Sequence, residues 1–290
     1  MHSYLRAIGY SDIKNRKQLE LILKQMIREK DNEKIILKDG IRYSEINTEV
    51  LPGAGVVLRG EYDEDNVFYM EQYCPYHVSS QNSLECEVSF HKKVDTESYA
   101  GMCDDNRIGV SMIFSLINVV DYIKHREEKT LITMNKQVAL SALSIEGKVL
   151  LGFDYLNNRK SSKLYNTKRR NQLIAEAKEG SQEAIESLTL DELDLYSSIS
   201  KRSRKTDVYT IVESTFIPYG SESDLYTLIG NIVHVNRVEN TFTNEKIYQI
   251  LVLCNDVPID ICINEKDIEG EPAPGRRFKG TVWMQGIVQF

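Results

Sequence analysis

The chain has 290 residues, of which 41% are hydrophobic and 27% are charged, the composition of an ordinary globular protein long enough for two domains. Its formal net charge of -7 disfavours a protein that binds nucleic acid or an anionic membrane through overall charge. No apolar run follows a basic N-terminus and the strongest apolar stretch, 110–123, is too short to span a bilayer, so we expect a cytoplasmic protein without a membrane partner.

The first half of the chain predicts one helix, several short strands and a second helix. Ser11 and Asp12 can cap a helix that runs to about residue 30. Hairpins are predicted over 34–46, 56–73 and 138–153, turning at 39–40, 63–66 and 146–147, with a further strand over 84–91. The apolar stretch predicts a buried helix that runs to about residue 125. Residues 1–155 are therefore predicted to form an α+β domain with a mostly antiparallel sheet.

The character of the chain changes between residues 156 and 205. This segment is basic, and its pattern predicts three short helices. From residue 226 onward the chain reads as strands with a glycine-rich final segment, which predicts a small closed or half-open barrel of OB type. The predicted fold class is therefore α+β: an α+β domain over 1–155, a helical connector over 156–205 and an OB-like β-barrel over 206–290.

The last strand shows the clearest alternation in the sequence. Even positions from Phe278 to Phe290 are apolar or glycine and are predicted to face the core, with bends at Gly280 and Gly286.

Five widely spaced cysteines without a C-x-x-C pair are typical of reduced thiols in a cytoplasmic chain. A two-residue turn after Cys254 sets that residue opposite Val257. Cys262 then lies opposite Gln249 on the other face of the hairpin, so we expect no disulfide between the two cysteines.

The sequence predicts no metal, no cofactor and no catalytic residue. Cys74, His77, Cys86 and His91 have a superficial zinc spacing. If 84–91 is one strand, however, Cys86 and His91 face opposite ways and cannot bind one ion. The chain also contains no phosphate-binding P-loop and no G-x-S-x-G nucleophile elbow.

The loop over 94–107 is a candidate ligand site. It delivers Tyr99, Asp104, Asp105 and Arg107 to the predicted start of the apolar helix, where backbone N–H groups can hold an anion. The alternative is that these polar residues only cap the helix.

The odd face of the last strand is a second candidate, because it carries Arg277, Lys279, Trp283 and Gln285. Aromatic and basic groups on a barrel strand can stack with and neutralise a ligand. The acidity of the surrounding residues favours the alternative, in which Trp283 packs against neighbouring elements.

A third candidate is the basic group Lys168, Arg169 and Arg170, which could contact the phosphates of a nucleic acid. The alternative is a solvated, domain-bridging helix.

Several stretches carry a resemblance to a known family: SYLRAIGYS at 3–11, SQEAIESLT, TIVESTFIPYG, NEKIY and, most specifically, GEPAPGRRFKGTVWMQGIVQF at 270–290. The chain resembles a family of functionally uncharacterised bacterial proteins of about this length. The resemblance implies a cytosolic, two-part protein and transfers no catalytic residue.

The leading hypothesis is a non-catalytic binding or regulatory protein, whose partner is another protein or a small anionic ligand. The rival is an enzyme or sensor for a small phosphorylated or anionic molecule that uses the 94–107 loop. A weaker alternative is nucleic-acid binding through the connector.

Overall fold

The computed structural model of the chain describes residues 2–81, 83–93, 97–131, 135–150, 214–220 and 223–290, with a few positions between 172 and 187. The first elements are a 3₁₀ helix Ser3–Ile8, α1 Arg16–Arg28, β1 Asn32–Lys38, β2 Ile41–Leu51, β3 Ala54–Tyr62, β4 Phe68–His77, β5 Leu84–Cys86, β6 Ser89–Lys92, β7 Tyr99–Asp104 and β8 Ser111–Leu116. They are followed by α2 Val119–Glu127, β9 Lys136–Leu150, β10 Thr215–Pro218, β11 Leu225–Glu239, β12 Lys246–Cys254, β13 Val257–Asn264, a 3₁₀ turn Glu265–Asp267, β14 Ile268–Glu269 and β15 Arg277–Val288. The fold is mostly β, so the predicted α+β class is wrong.

A small antiparallel sheet is formed by β1, β2, β3 and β4 in chain order. Its first turn uses Asp39 and Gly40, both with positive φ, which is the twist that a two-residue hairpin needs. The hairpins predicted over 34–46 and 56–73 are confirmed.

The large sheet contains a closed ring of strands. Its order runs β10-β11-β12-β13-β9-β15-β8-β7-β6, and β11 also pairs with β15, so β11, β12, β13, β9 and β15 close into a barrel. The pairing of β13 with β9 is parallel. A barrel made of residues 206–290 alone, as the sequence predicted, is wrong, because β9 from the first half of the chain completes the ring.

The long strand β9 replaces the hairpin that was predicted over 138–153. Gly147 does not turn the chain but pairs with Gly280 of β15. A Cβ at Gly147 would lie 2.6 Å from the ring of Phe278. The glycine is therefore needed for close packing, and the turn interpretation of Glu146-Gly147 is wrong.

The apolar helix predicted over 110–125 is also wrong. Its first half is strand β8, in which Met112, Phe114 and Leu116 alternate into the core. Only the second half is helical, as α2. The hydrophobic periodicity changes within this stretch from 2 residues in the strand to 3.6 in the helix. The change is not visible in the sequence because the residues between the buried strand positions are only partly polar.

Two further boundaries differ from the prediction. Strand 84–91 is split into β5 and β6, which pair with different neighbours. The first long helix begins after Asn15, whose side chain accepts a hydrogen bond from the Gln18 N–H at 2.9 Å; the predicted caps at Ser11 and Asp12 lie before it.

The barrel interior belongs to one large apolar cluster, which extends to β8 and α2 and to which the even face of β15 contributes Phe278, Val282, Met284 and Val288. This confirms the core face predicted for the last strand. A second cluster lies outside the barrel, between its wall, the first helices and the small sheet. Cys254 belongs to the first cluster and Cys262 to the second, which confirms that they lie on opposite faces.

The predicted connector over 156–205 lies outside the described residues, apart from the few positions named above. In the described part of the chain, neither the length nor the hydropathy of any helix would allow it to cross a membrane.

Candidate functional site

The structure separates the four predicted residues of the 94–107 loop. Tyr99 begins β7 and is buried, whereas Asp104, Asp105 and Arg107 lie at the turn between β7 and β8. That turn does not start a helix. The Tyr99 hydroxyl donates to Glu97 Oε2 at 2.8 Å and accepts from Arg126 at 2.8 Å.

Arg107 ties three loops together. Its Nε and Nη2 donate to the two carboxylate oxygens of Asp105 at 2.9 and 2.8 Å. The same guanidinium reaches the carbonyl oxygens of Asp256 at 3.0 Å and Ser83 at 3.2 Å. Burial alone would raise the pKa of Asp105, but the Arg107 hydrogen bonds outweigh burial and lower it. Asp104 accepts from the Ser111 hydroxyl at 2.6 Å. These side chains therefore bind one another.

The odd face of β15 is covered by the rest of the molecule. Arg277, Trp283 and Gln285 are all buried, and Lys279 is half-buried. The Gln285 side chain donates to the Pro75 carbonyl oxygen at 2.8 Å and accepts from the His77 N–H at 3.0 Å. The face thus lies against the small sheet.

Lys168, Arg169 and Arg170 lie outside the described residues.

A cavity of about 150 Å³ lies between the small sheet and the large sheet. We call it the inter-sheet cavity. Its wall consists of side chains from the N-terminal segment, β3, β4, the loop between β6 and β7, the start of β7, β8 and β15. They include His2, Arg59, Gln72, Tyr73, Cys74, Lys93, Ser98, Tyr99, Ser115, Trp283 and Gln285. Two of the predicted candidates on the odd face of β15, and one from the 94–107 loop, are therefore at one site.

Asp224 organises one side of the cavity from behind its wall. A single oxygen, Oδ2, accepts from Lys93 Nζ at 2.7 Å, Trp283 Nε1 at 2.8 Å and the Ser115 hydroxyl at 3.0 Å. Lys93 also donates to Ser115 at 2.9 Å. Burial alone would raise the pKa of Asp224, but Lys93 and the other donors lower it, so the carboxylate stays charged and holds Lys93 in place.

Arg59 organises the other side. Its Nε donates to Glu45 Oε2 at 2.7 Å and its Nη2 donates to the Ile117 carbonyl oxygen at 2.6 Å. Only 4% of the Arg59 side chain and 3% of the Glu45 side chain are exposed, which makes this a fully buried ion pair. Of the Lys93 side chain, 39% is exposed, so the two cations mark a deep end and a more open end.

The N-terminal segment closes the cavity above Trp283. The rings of His2 and Tyr4 lie 4.7 and 5.4 Å from the Trp283 ring. The His2 N–H donates to the Tyr73 hydroxyl at 3.0 Å. Burial, helped by nearby Lys93, lowers the pKa of His2 to about 4. The imidazole is therefore neutral at pH 7, and its buried Nδ1 has no hydrogen-bond partner among the described residues.

Two hydroxyls lie beside a basic nitrogen, Ser115 beside Lys93 Nζ at 2.9 Å and Thr130 beside His125 Nδ1 at 2.8 Å. Lys93 is paired with Asp224, and His125 and Thr130 are not part of the cavity wall. His77 is buried, with Nδ1 3.3 Å from the Gly53 carbonyl oxygen. Ser79 and Ser80 instead donate to Asp260 at 2.8 and 3.2 Å. Burial raises the pKa of the cavity thiol, Cys74, to about 11, which disfavours a reactive thiolate.

No cluster of histidine, cysteine and carboxylate side chains in the described ranges could hold a metal ion. The cavity chemistry is therefore that of N–H and O–H donors beside aromatic rings, which suits binding of a small polar molecule.

Sequence reasoning missed Arg59, Lys93 and Asp224. One signal was available for Arg59, because it follows the apolar run VVL in a predicted strand, and a charge on an inward strand face requires a buried partner. Lys93 and Asp224 are 131 residues apart, and no local pattern links them.

The model of a protein family with the description "Domain of unknown function, E. rectale Gene description (DUF3881)" matches residues 5–286 of the chain. No curated protein and no solved structure matches the chain. The match covers nearly all of the 290 residues, as the resemblance predicted. The chain therefore belongs to the DUF3881 family of bacterial proteins.

Proposed function

We propose that this chain is a non-catalytic, cytoplasmic binding or regulatory protein whose ligand is a small polar molecule in the inter-sheet cavity. The observation that carries the proposal is a cavity whose wall includes two cations held by carboxylates behind it, Lys93 by Asp224 and Arg59 by Glu45. Buried charges are costly unless they are paired. Their placement around an enclosed space favours a ligand site over simple packing.

The pre-positioned wall supports binding without catalysis. Each cation is fixed by a second acceptor, Ser115 for Lys93 and Ile117 for Arg59. Fixed groups lose little entropy when a ligand arrives. The raised pKa of the half-buried Cys74 thiol disfavours a thiolate nucleophile at neutral pH.

The rival proposal, an enzyme or sensor that uses the 94–107 loop, has less support. Tyr99 lines the cavity, but Asp104, Asp105 and Arg107 are engaged with Ser111 and with each other. Nucleic-acid binding through Lys168, Arg169 and Arg170 stays a prediction. A salt series tests it, since affinity for phosphates falls steeply as salt rises.

A thermal-shift screen tests the binding proposal. Small anionic, cationic, zwitterionic and neutral compounds are added to the purified chain, and a ligand at a hundred times its Kd should stabilise the fold by about 2.7 kcal/mol. Ser98→Leu, which fills the cavity, should abolish the shift. Ser89→Leu is the matched control, because Ser89 is exposed on β6, away from the cavity wall.

The proposal is contradicted if no compound of any charge class stabilises the chain. Equal stabilisation of wild type and Ser98→Leu would also contradict it, since the ligand would then bind elsewhere.

A further inference from the structure

We propose that the ligand of the inter-sheet cavity is a small oxyanion, a carboxylate or a phosphate of about six non-hydrogen atoms, held between Lys93 and Arg59. This inference rests on the proposed function and adds the chemical class of the ligand. The charges on the cavity wall, the unused hydrogen-bond donors and the cavity volume support it.

The charges on the wall favour an anion. The described residues that line the cavity include two cations, Arg59 and Lys93, and no aspartate or glutamate. Asp224 and Glu45 approach these cations from behind. A cationic ligand would meet like charges and find no carboxylate to pair with, which costs free energy in a low-dielectric site.

Lys93, Arg59 and Tyr73 of the cavity wall each have a hydrogen-bond donor that the described residues do not use. An ammonium group has three N–H donors, and Lys93 uses two of them on Asp224 and Ser115. The Arg59 bonds use Nε and Nη2. The described residues take no hydrogen bond from Nη1, and Arg59 lines the cavity. The Tyr73 hydroxyl accepts from His2 and keeps its own proton for an acceptor.

The volume sets the size of the ligand. A cavity of about 150 Å³ is comparable to the engineered apolar cavity that holds benzene, a molecule of about six non-hydrogen atoms. Oxalate and inorganic phosphate meet this limit, whereas a nucleotide is far too large. Tyr99 and Trp283 contribute aromatic rings to the wall.

Trp283 fluorescence provides the readout, because it is the only tryptophan and it lines the cavity. Oxalate, inorganic phosphate and oxamide are titrated separately into the intact chain. Oxamide is a neutral molecule with the shape of oxalate, so the pair isolates the effect of charge. The oxalate and phosphate arms separate a carboxylate ligand from a phosphate ligand.

Saturable binding of oxalate or phosphate, with oxamide weaker by at least about tenfold, is the expected result, since charged hydrogen bonds contribute ten- to a hundredfold in affinity. Lys93→Met should weaken the anion by a similar factor and Lys93→Arg should restore much of it. Far-UV circular dichroism of each variant confirms that it is folded.

The inference on ligand class is overturned if oxamide binds and both anions do not, an outcome that leaves the binding proposal intact. Equal anion affinity in wild type and folded Lys93→Met also overturns it. Absence of binding by all three compounds overturns the inference on ligand class, and the thermal-shift screen over all charge classes then decides the binding proposal.

Discussion

The barrel interior is filled with apolar side chains, whereas the layer between the barrel and the small sheet buries charged ones. Inside the barrel, residues such as Ile259, Ile261 and Phe278 are fully buried. In the layer outside it, Arg59 and Glu45 are equally inaccessible but are paired with each other. The same strand, β15, serves both regions through its two faces.

The difference indicates which region of this molecule can bind a polar ligand. Apolar burial stabilises the barrel without direction, while each buried charge in the layer must be met by a specific partner. A layer of paired charges around a cavity can accept a polar ligand, and a dry apolar core cannot. Three predictions test this contrast.

The largest effect is expected from Glu45→Gln. The substitution leaves the Arg59 cation buried without its carboxylate, which costs about 3–5 kcal/mol of unfolding free energy. Urea unfolding measures it. Glu20→Gln is the control, since its partner Arg16 is 91% exposed and such pairs contribute about 1 kcal/mol or less. Similar losses of unfolding free energy in both variants would mean that a buried charge in this layer depends on its partner no more than a surface charge does.

A smaller effect is expected from Gly286→Ala on the apolar side. A Cβ there would lie 2.5 Å from the Phe114 ring, and overpacking of this kind costs about 1–3 kcal/mol. Phe114→Leu in the same chain should recover part of the loss, because the smaller side chain vacates the space. Additive losses in the double variant would show that the two positions do not compete for volume.

A third effect is expected in the dependence of the unfolding free energy on acid pH. Burial alone would raise the pKa of Glu97, but hydrogen bonds from Lys38, Lys92 and Tyr99 lower it to about 2. The unfolded carboxyl binds its proton near pH 4.5. The stability that Glu97 contributes is therefore complete above pH 4.5 and is lost as pH falls towards 2.

Glu97→Gln should make the free energy of unfolding depend less steeply on pH between pH 4.5 and 2. Urea unfolding at a series of pH values measures this dependence. Glu20→Gln, at an exposed pair, should leave the slope as in wild type. An unchanged slope in Glu97→Gln would remove Glu97 from the account of acid stability.

Local signals predicted the hairpins and the core face of the last strand. The residues of the Asp39-Gly40 turn and of the turn after Cys254 have positive φ. Asn, Asp and Gly favour that conformation, so these turns could be recognised from the residue types. The barrel closure was missed because β9 pairs with β13 and β15, more than a hundred residues further along the chain. Gly147 resembled a turn residue although its role is to admit the Phe278 ring.

The candidate site was predictable in part. Tyr99, Trp283 and Gln285 were named from the sequence and line the inter-sheet cavity. Alternation showed that Trp283 and Gln285 share a strand face, but it could not show what covers that face. Arg59, Lys93 and Asp224 are brought together only by the packing of the small sheet against the large one, which leaves no periodic trace in the sequence.

The most direct test of the inter-sheet cavity as an anion site is a crystal structure of the chain soaked in oxalate, beside one soaked in oxamide. Oxalate density is expected between Lys93 Nζ and Arg59 Nη1, with the Asp224 and Glu45 pairs unchanged, and only water after the oxamide soak. A cavity that contains only water at saturating oxalate would rule out this anion site.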